Sequence, residues 1–235
     1  MIPWVLLDTA TVPGGGEELR LMRHGTDFAI RLGRNDLMNS RVHGSEDALG
    51  ALACAKIAAR ARARILIGGL GMGFTLRAVL AAAGPKAQIV VAELVPEVIA
   101  WNRGPLAHLS GNSLADKRVD IRAADVSVLM HTARGAYDAI LLDVDNGPEG
   151  LTREENDRIY SMAGLASAKA ALRPGGVLAT WSAAPHKRFA QRLSHAGFTV
   201  EEIVARAGRN GRGARHVIWL ATNGGATSHP STSSG

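Results

Sequence analysis

The strongest constraint on the fold is a series of short apolar segments separated by helical stretches. Ile65-Leu66-Ile67, Gln88 to Ala92, Tyr137 to Leu142 and Val177 to Trp181 are such segments, and Arg118 to Arg122 falls between the second and third. Tyr137 to Leu142 reads as apolar on both faces. Strands of this kind, spaced by helices, belong in a parallel sheet covered on both sides. Helices are expected from about Thr75 to Ala83, from Pro96 to Ala107, and from Val126 to Met130, with Asp125 available as its cap. Thr152 with Glu155 forms a capping box for a helix to Leu172, which stops at Pro174-Gly175-Gly176, and Pro185 opens another. Phe198 to Ala205 and His216 to Ala221, joined by Gly208 to Gly213, read as a closing antiparallel pair. The expected class is α/β, a doubly wound, mostly parallel sheet of seven strands.

Before residue 45 the pattern is different. Trp4-Val5-Leu6-Leu7, Leu19 to Met22, Phe28 to Leu32 and Leu37-Met38 are short strands, with turns at Pro13 to Gly16, His24 to Asp27 and Gly33 to Asp36. Ser45 is expected to cap a helix running through Ala48, Leu49, Leu52, Ala53 and Ile57. The resulting division is a β-hairpin region over 1–44, an α/β domain with its lead-in helix over 45–222, and a disordered Ser/Thr/Gly tail over 223–235.

Composition excludes several classes. With 46% hydrophobic residues the chain is not disordered throughout, and the one cysteine, Cys54, excludes an internal disulfide or a thiolate-rich metal site. Seven of the eight histidines, His24, His43, His108, His131, His186, His195 and His216, are scattered without metal-ligand spacing, so no metal is expected. Ser45 and Ser182 lack the context of a nucleophile elbow. Met1 to Leu7 has no basic segment followed by an apolar one, and no uncharged apolar run reaches the ~18 residues of a membrane span, so a cytoplasmic location off the membrane is expected.

The net charge of +6 raises the question of a nucleic-acid partner. Its distribution argues against one. Arg60, Arg62 and Arg64 alternate with alanines, and Lys187, Arg188, Arg192, Arg206, Arg209, Arg212 and Arg215 form a later group. No aromatic residues interleave with them to make a stacking platform, so solvated helix ends and loops are the favoured reading.

Chemistry concentrates after the first parallel strand. Gly68-Gly69-Leu70-Gly71-Met72-Gly73 joins a strand to a helix, where glycines allow a sharp turn and close approach of a ligand to the backbone. Glu93 ends the next strand, at the place where nucleotide-binding α/β folds hold ribose hydroxyls. Asp125 and Asp143 follow at the ends of the next two strands, so four features share the carboxyl edge of the sheet. The strict alternation of Gly69, Gly71 and Gly73 is not the register of an NAD loop, and no Lys-Ser/Thr pair marks a P-loop.

This order resembles the class I AdoMet-dependent methyltransferase fold, a Rossmann-like fold, and within it the spermidine synthase (polyamine aminopropyltransferase) family. The pieces that carry the resemblance are Gly69 to Arg77, Glu93, Tyr137 to Asp143, Gly147-Pro148 and Leu172 to Gly176, within roughly residues 4–221. The resemblance implies an alkyl transfer from S-adenosyl-L-methionine or its decarboxylated form to a small amine. It places Gly69, Gly71, Met72 and Gly73 along the methionine-like part of the cofactor, Glu93 on the ribose, and Asp125 with Val126 at the adenine. Asp143 matches the residue that orients and deprotonates the amine, with Asp145 as a second catalytic candidate. Glu149 adds negative potential, and His43, Glu46 and Trp181 are candidates for the substrate wall. The loop carries Met72 where the family has an Asp that contacts the amine of the decarboxylated donor; methyl transfer to a small molecule is the alternative. The family also implies a homo-oligomer, commonly a dimer.

Overall fold

In the computed structural model, residues 3–14, 18–33, 35–144, 158–208 and 212–224 are described. Four antiparallel strands come first: β1 (Val5–Thr11), β2 (Glu18–His24), β3 (Asp27–Leu32) and β4 (Asn35–Asn39), paired in sequence order. Helix α1 (Gly44–Lys56) leads into β5 (Arg64–Gly68), α2 (Phe74–Ala82), β6 (Gln88–Glu93), α3 (Pro96–Arg103), β7 (Val119–Ala123), α4 (Val126–Thr132) and β8 (Tyr137–Leu142). Then come α5 (Met162–Ala171), β9 (Leu172–Ser182), α6 (Lys187–His195), β10 (Thr199–Arg206) and β11 (Arg215–Thr222). The second sheet has seven strands in the order β10-β11-β9-β8-β5-β6-β7. Its β9-β8-β5-β6-β7 part is parallel, and β11 is antiparallel to both β9 and β10.

The period of two along the central strands sorts their side chains into two cores. Ile65, Ile67, Ile89, Val91, Ala139, Leu141, Ile218 and Leu220 join the core that also contains Leu49 of α1 and Leu76 of α2. Leu66, Val90, Ile140, Leu142, Leu178 and Trp219 face the other side, with Met130 of α4, Leu165 of α5 and Phe189 of α6. Leu21 and Ile30 of the small sheet belong to the first core, so the hairpins rest on the α1–α2 side. Trp101 is buried there, and its indole N–H donates to Asp8 of β1 at 2.7 Å, pinning the small sheet to α3.

The helix expected from Pro96 to Ala107 stops at Arg103, because Gly104 turns the chain into a short 3-10 segment at Ala107–Ser110. Asp125 caps α4, its carboxylate accepting from Ser127 N at 2.7 Å. Ser45 does not cap α1. The N-cap is His43, and Ser45 lies buried in the first turn. The Thr152–Glu155 capping box and the tail from 225 onward lie outside the described residues.

At the opposite edge from the glycine loop, Asp138 is a fully buried acid in the otherwise apolar β8. It accepts from Arg60 Nη1 at 2.7 Å, Arg173 Nη1 at 2.8 Å and Arg64 N at 2.7 Å. Three donors on three segments replace the water it lost. Asp138→Ala is expected to cost about 3 kcal/mol, the lower end for breaking a buried pair, since both guanidiniums keep partial access to water. Urea denaturation checks this, and a loss under about 1 kcal/mol, typical of a surface change, would reject the clamp.

Candidate functional site

β5 ends at Gly68, and the loop that follows is built from left-handed glycines. Gly69 has φ +89°, and a Cβ there would overlap the carbonyl oxygen of Asp143. Gly69 N donates to Ala92 O and Asp143 N donates to Gly68 O, both at 2.9 Å, so the ends of β5, β6 and β8 are laced together. Gly73, at φ +78°, is the N-cap of α2. Asn102 of α3 donates through Nδ2 to Gly71 O at 2.7 Å, while its Oδ1 is buried without a partner among the described residues. Met38 of β4 packs against Gly71, so the small sheet covers one side of the loop.

Glu93 braces this loop from below. Its two carboxylate oxygens accept from Leu70 N and Val95 N, each at 2.9 Å. Burial raises its proton affinity, and the backbone donors pull it partly back. The backbone N–H groups of Gly71 and Leu94 also act on the carboxylate, so the main chain of the loop and of the turn after β6 surrounds it. At the end of β7, Asp125 is exposed beyond its capping bond. A loop whose Leu70 and Met72 side chains are buried, an acid at the end of β6 and a second acid one strand further along fit a nucleoside-bearing ligand.

Two of the expected cofactor residues act differently. The Met72 side chain is 1% exposed and packs in the core below the loop, so only its backbone faces a ligand. Val126 is buried, with its methyl groups against Gly68. Both are expected among the ligand contacts, and in the structure both side chains are buried against the loop.

Asp143 follows β8 directly. Thr75, in the first turn of α2, donates its one hydroxyl proton to Asp143 Oδ2 at 2.5 Å. Burial pushes Asp143 up to about 6. Glu46, in the first turn of α1, is pushed up to about 7, first by burial and then by the negative charge of Asp143. Among the described residues no arginine or lysine pairs with either carboxylate. Two acids from two elements thus meet with no arginine or lysine partner among the described residues.

His43 was expected in the substrate wall. It is 2% exposed, stacks on Phe74 at 4.3 Å and pairs with Asp47 at 2.6 Å. Arg77 holds the other oxygen of Asp47 at 2.7 Å, so this cluster locks α1 onto α2 beside Glu46. Trp181, at the end of β9, is 9% exposed and makes an edge contact with His216 at 4.7 Å. Its indole N–H has no partner among the described residues. Asp145 and Glu149 lie outside the described residues. The described residues contain no group of three or more His, Cys, Asp and Glu that could hold a metal ion, and no helix among them is long and apolar enough to cross a membrane.

Sequence reasoning missed Thr75, Met38 and His216. Thr75 follows the last glycine of the loop by two residues, which puts it in the first helical turn; that spacing was the available signal. The other two reach the site through chain reversals far away in sequence.

With this geometry in view, residues 51–199 match the spermine/spermidine synthase domain. The chain belongs to that family. The family segment holds the glycine loop, Glu93, Asp125 and Asp143, and it leaves Glu46 and His216 outside. A polyamine aminopropyltransferase of Prochlorococcus marinus (strain NATL1A) is 33% identical over 122 residues, which is 52% of this chain and 40% of that relative. The chain therefore matches less than half the length of that curated family member. Solved structures agree on the fold. A spermidine synthase in complex with the transition state analogue AdoDATO superposes with a TM-score of 0.74 at 16% identity, covering 93% of this chain and 72% of that one. Spermidine synthase from Thermotoga maritima gives 0.75 at 16% identity, with 93% and 73% covered. A probable spermidine synthase from Corynebacterium glutamicum ATCC 13032 gives 0.62 at 19%, with 97% and 84% covered.

Proposed function

We propose that this chain transfers an aminopropyl group from decarboxylated S-adenosyl-L-methionine to a small amine. The observation that carries the reading is the Asp143–Glu46 pair, two carboxylates with no arginine or lysine bonded to them among the described residues, set beside the glycine loop. A cationic amine entering there supplies the missing charge. The likeness to a polyamine aminopropyltransferase supports the same chemistry.

The sulfonium donor supplies an activated carbon and a neutral thioether leaving group. The protein's part is alignment and one proton. An ammonium has no lone pair, so Asp143 must receive an amine N–H and take its proton. The Thr75 hydroxyl fixes Asp143 Oδ2, which leaves Oδ1 for the amine. Glu93 is the acceptor for ribose hydroxyls, and Trp181 Nε1 is a spare donor at the far side of the site. The main-chain N–H and C=O groups of Gly69 to Gly73 face the donor's tail, since Met72 offers no side chain there.

The test is turnover of the full chain with each sulfonium and a panel of primary amines, read by mass spectrometry. Expected products are the aminopropylated amine and methylthioadenosine, with the decarboxylated donor strongly preferred. A methylated amine made from intact S-adenosyl-L-methionine would replace this reading by the methyltransferase one.

A pH dependence follows from the same pair. The base must be ionised to accept a proton, so activity is present above the carboxylate pKa values and falls as pH drops through about 7 and about 6. Glu46→Gln removes the upper step, and the acid limb of kcat should then move down toward 6, the value of Asp143. A limb that stays near 7 in that variant would detach Glu46 from the titration.

A further inference from the structure

One polar chain at the site is not used by the chemistry above. Ser45 Oγ donates to Glu46 Oε2 at 2.6 Å, and the same oxygen lies 2.8 Å from His216 Nδ1. Ser45 is fully buried, Glu46 is half-buried beside Asp143, and His216 is partly exposed at the start of β11. The three residues converge because Gly44 N donates to Ala207 O at 2.7 Å, which seats the first turn of α1 on the β10–β11 end. A Cβ on Gly44 would press into the backbone oxygens of Arg206 and Ala207, so the fit is close.

Ser45 has one proton, and that fixes the logic. When its hydroxyl donates to an ionised Glu46, His216 Nδ1 must carry a proton and donate to Ser45. When Glu46 is protonated and donates to Ser45, the hydroxyl donates to a bare Nδ1. With His216 as an imidazolium in the first arrangement and as the Nε2–H imidazole in the second, the two differ by a shift of protons along the chain, with no movement of heavy atoms.

We propose that Glu46, Ser45 and His216 form a relay that carries the proton given up by the reacting amine out of the carboxylate pair. The proposal rests on the amine-transfer reading. The substrate ammonium gives up one proton so that its nitrogen can attack. The new C–N bond forms as the C–S bond breaks, sulfur keeps the electron pair, and the product keeps its remaining protons as an ammonium. The proton given up passes to the carboxylates. Protonated Glu46 hands it to Ser45 Oγ while the Ser45 proton moves to His216 Nδ1, and the imidazolium releases its Nε2 proton to water. The Nδ1–H tautomer persists while Glu46 is ionised, and exchange with solvent returns it to Nε2–H as Glu46 takes its next proton, so one proton leaves per turnover and nothing else is consumed.

The surroundings suit this direction. Glu46 faces Asp143 from β8 and His43 from its own helix. His216 pairs with Ala205 on β10, meets Trp181 of β9, and has Arg206 and Arg215 one step along the two strands. Burial holds His216 below the ordinary histidine value, so it passes a proton on and does not keep it.

Two measurements on the full chain test the relay. The first is the tautomer and titration of His216, read by long-range 1H–15N spectra of histidine-labelled protein without ligands. The wild type should titrate in two linked steps and change tautomer as Glu46 ionises. Ser45→Ala should give one step and a fixed tautomer; two steps in Ser45→Ala, or one step in the wild type, would overturn the wiring. The second is turnover. His216→Ala should lower kcat on the order of 10²-fold, the low end for positioned proton transfer, with the amine KM unchanged. Free imidazole should restore it in a saturable way. Undiminished kcat in dilute buffer, or a loss that imidazole does not repair in folded protein, would reject the relay. Should no amine be alkylated by the wild type, the amine-transfer reading fails, and the spectra still decide whether the three residues are wired together.

Discussion

Asp143→Asn is expected to lower kcat on the order of 10³-fold, within the range that positioned proton transfer contributes. The substitution preserves most of the local structure. Asn keeps the shape, and its Oδ1 can still accept from the Thr75 hydroxyl, which is held at 2.5 Å in the native chain. The backbone bond from residue 143 N to Gly68 O is also untouched, so the glycine loop stays closed. The proton acceptor and one of the two charges of the pair are lost. Glu46, relieved of the Asp143 charge that helps raise it, should titrate lower and ionise more easily. It cannot take over at the same distance from the amine. Calorimetry with the decarboxylated donor should therefore show nearly native affinity, while steady-state rates with a saturating amine collapse. A variant with native kcat would remove Asp143 from the chemistry. Lost donor affinity with native kcat would reassign it to binding.

The sheet was legible because its pattern is local. Alternation along Ile65 to Ile67 or Tyr137 to Leu142 sends neighbours to opposite cores, and the structure sorts them that way. Residues read at strand ends, Glu93, Asp125 and Asp143, share one edge for the same reason. Side-chain direction within the loop and the helix starts was not legible. Met72 sits between two left-handed glycines, and their backbone turns its side chain into the core. Ser45 and His43 looked like cap and pocket wall from their order in the chain. Their roles are set by His216, 171 positions away, and by Arg77 on another helix. Reading the arginines as solvated helix ends and loops missed contacts of the same long-range kind. Arg60 and Arg173 are spent on Asp138, and Arg118 is spent on Asp116 and the carbonyl oxygens of Leu80 and Ala83. Composition counts such cations but does not show that the fold uses them internally.

Gly69→Ala carries the second large effect, because it strikes the loop and the base together. The residue sits at φ +89°, where an L side chain costs roughly 1–2 kcal/mol on conformational grounds. The added Cβ would also overlap the Asp143 carbonyl oxygen, which is backbone and cannot swing aside. Relief requires the end of β8 to separate from β5, at the expense of the Asp143 N to Gly68 O and Gly69 N to Ala92 O bonds. It also shifts Leu70 away from Glu93. The expected loss is about 3–4 kcal/mol in stability, in the range reserved for strained backbone plus overpacking. Donor affinity should fall by ~10-fold or more, since about 1.4 kcal/mol of lost loop contacts is enough. Gly135→Ala provides the comparison: φ is +50° there too, but no atom lies within 4 Å of the added methyl. That variant should show the conformational cost alone, about 1–2 kcal/mol, with native donor binding. Urea melts and donor calorimetry on the two variants separate the contributions. Equal stabilities would show that the Asp143 carbonyl yields freely, and the geometric coupling of loop and base would then be wrong.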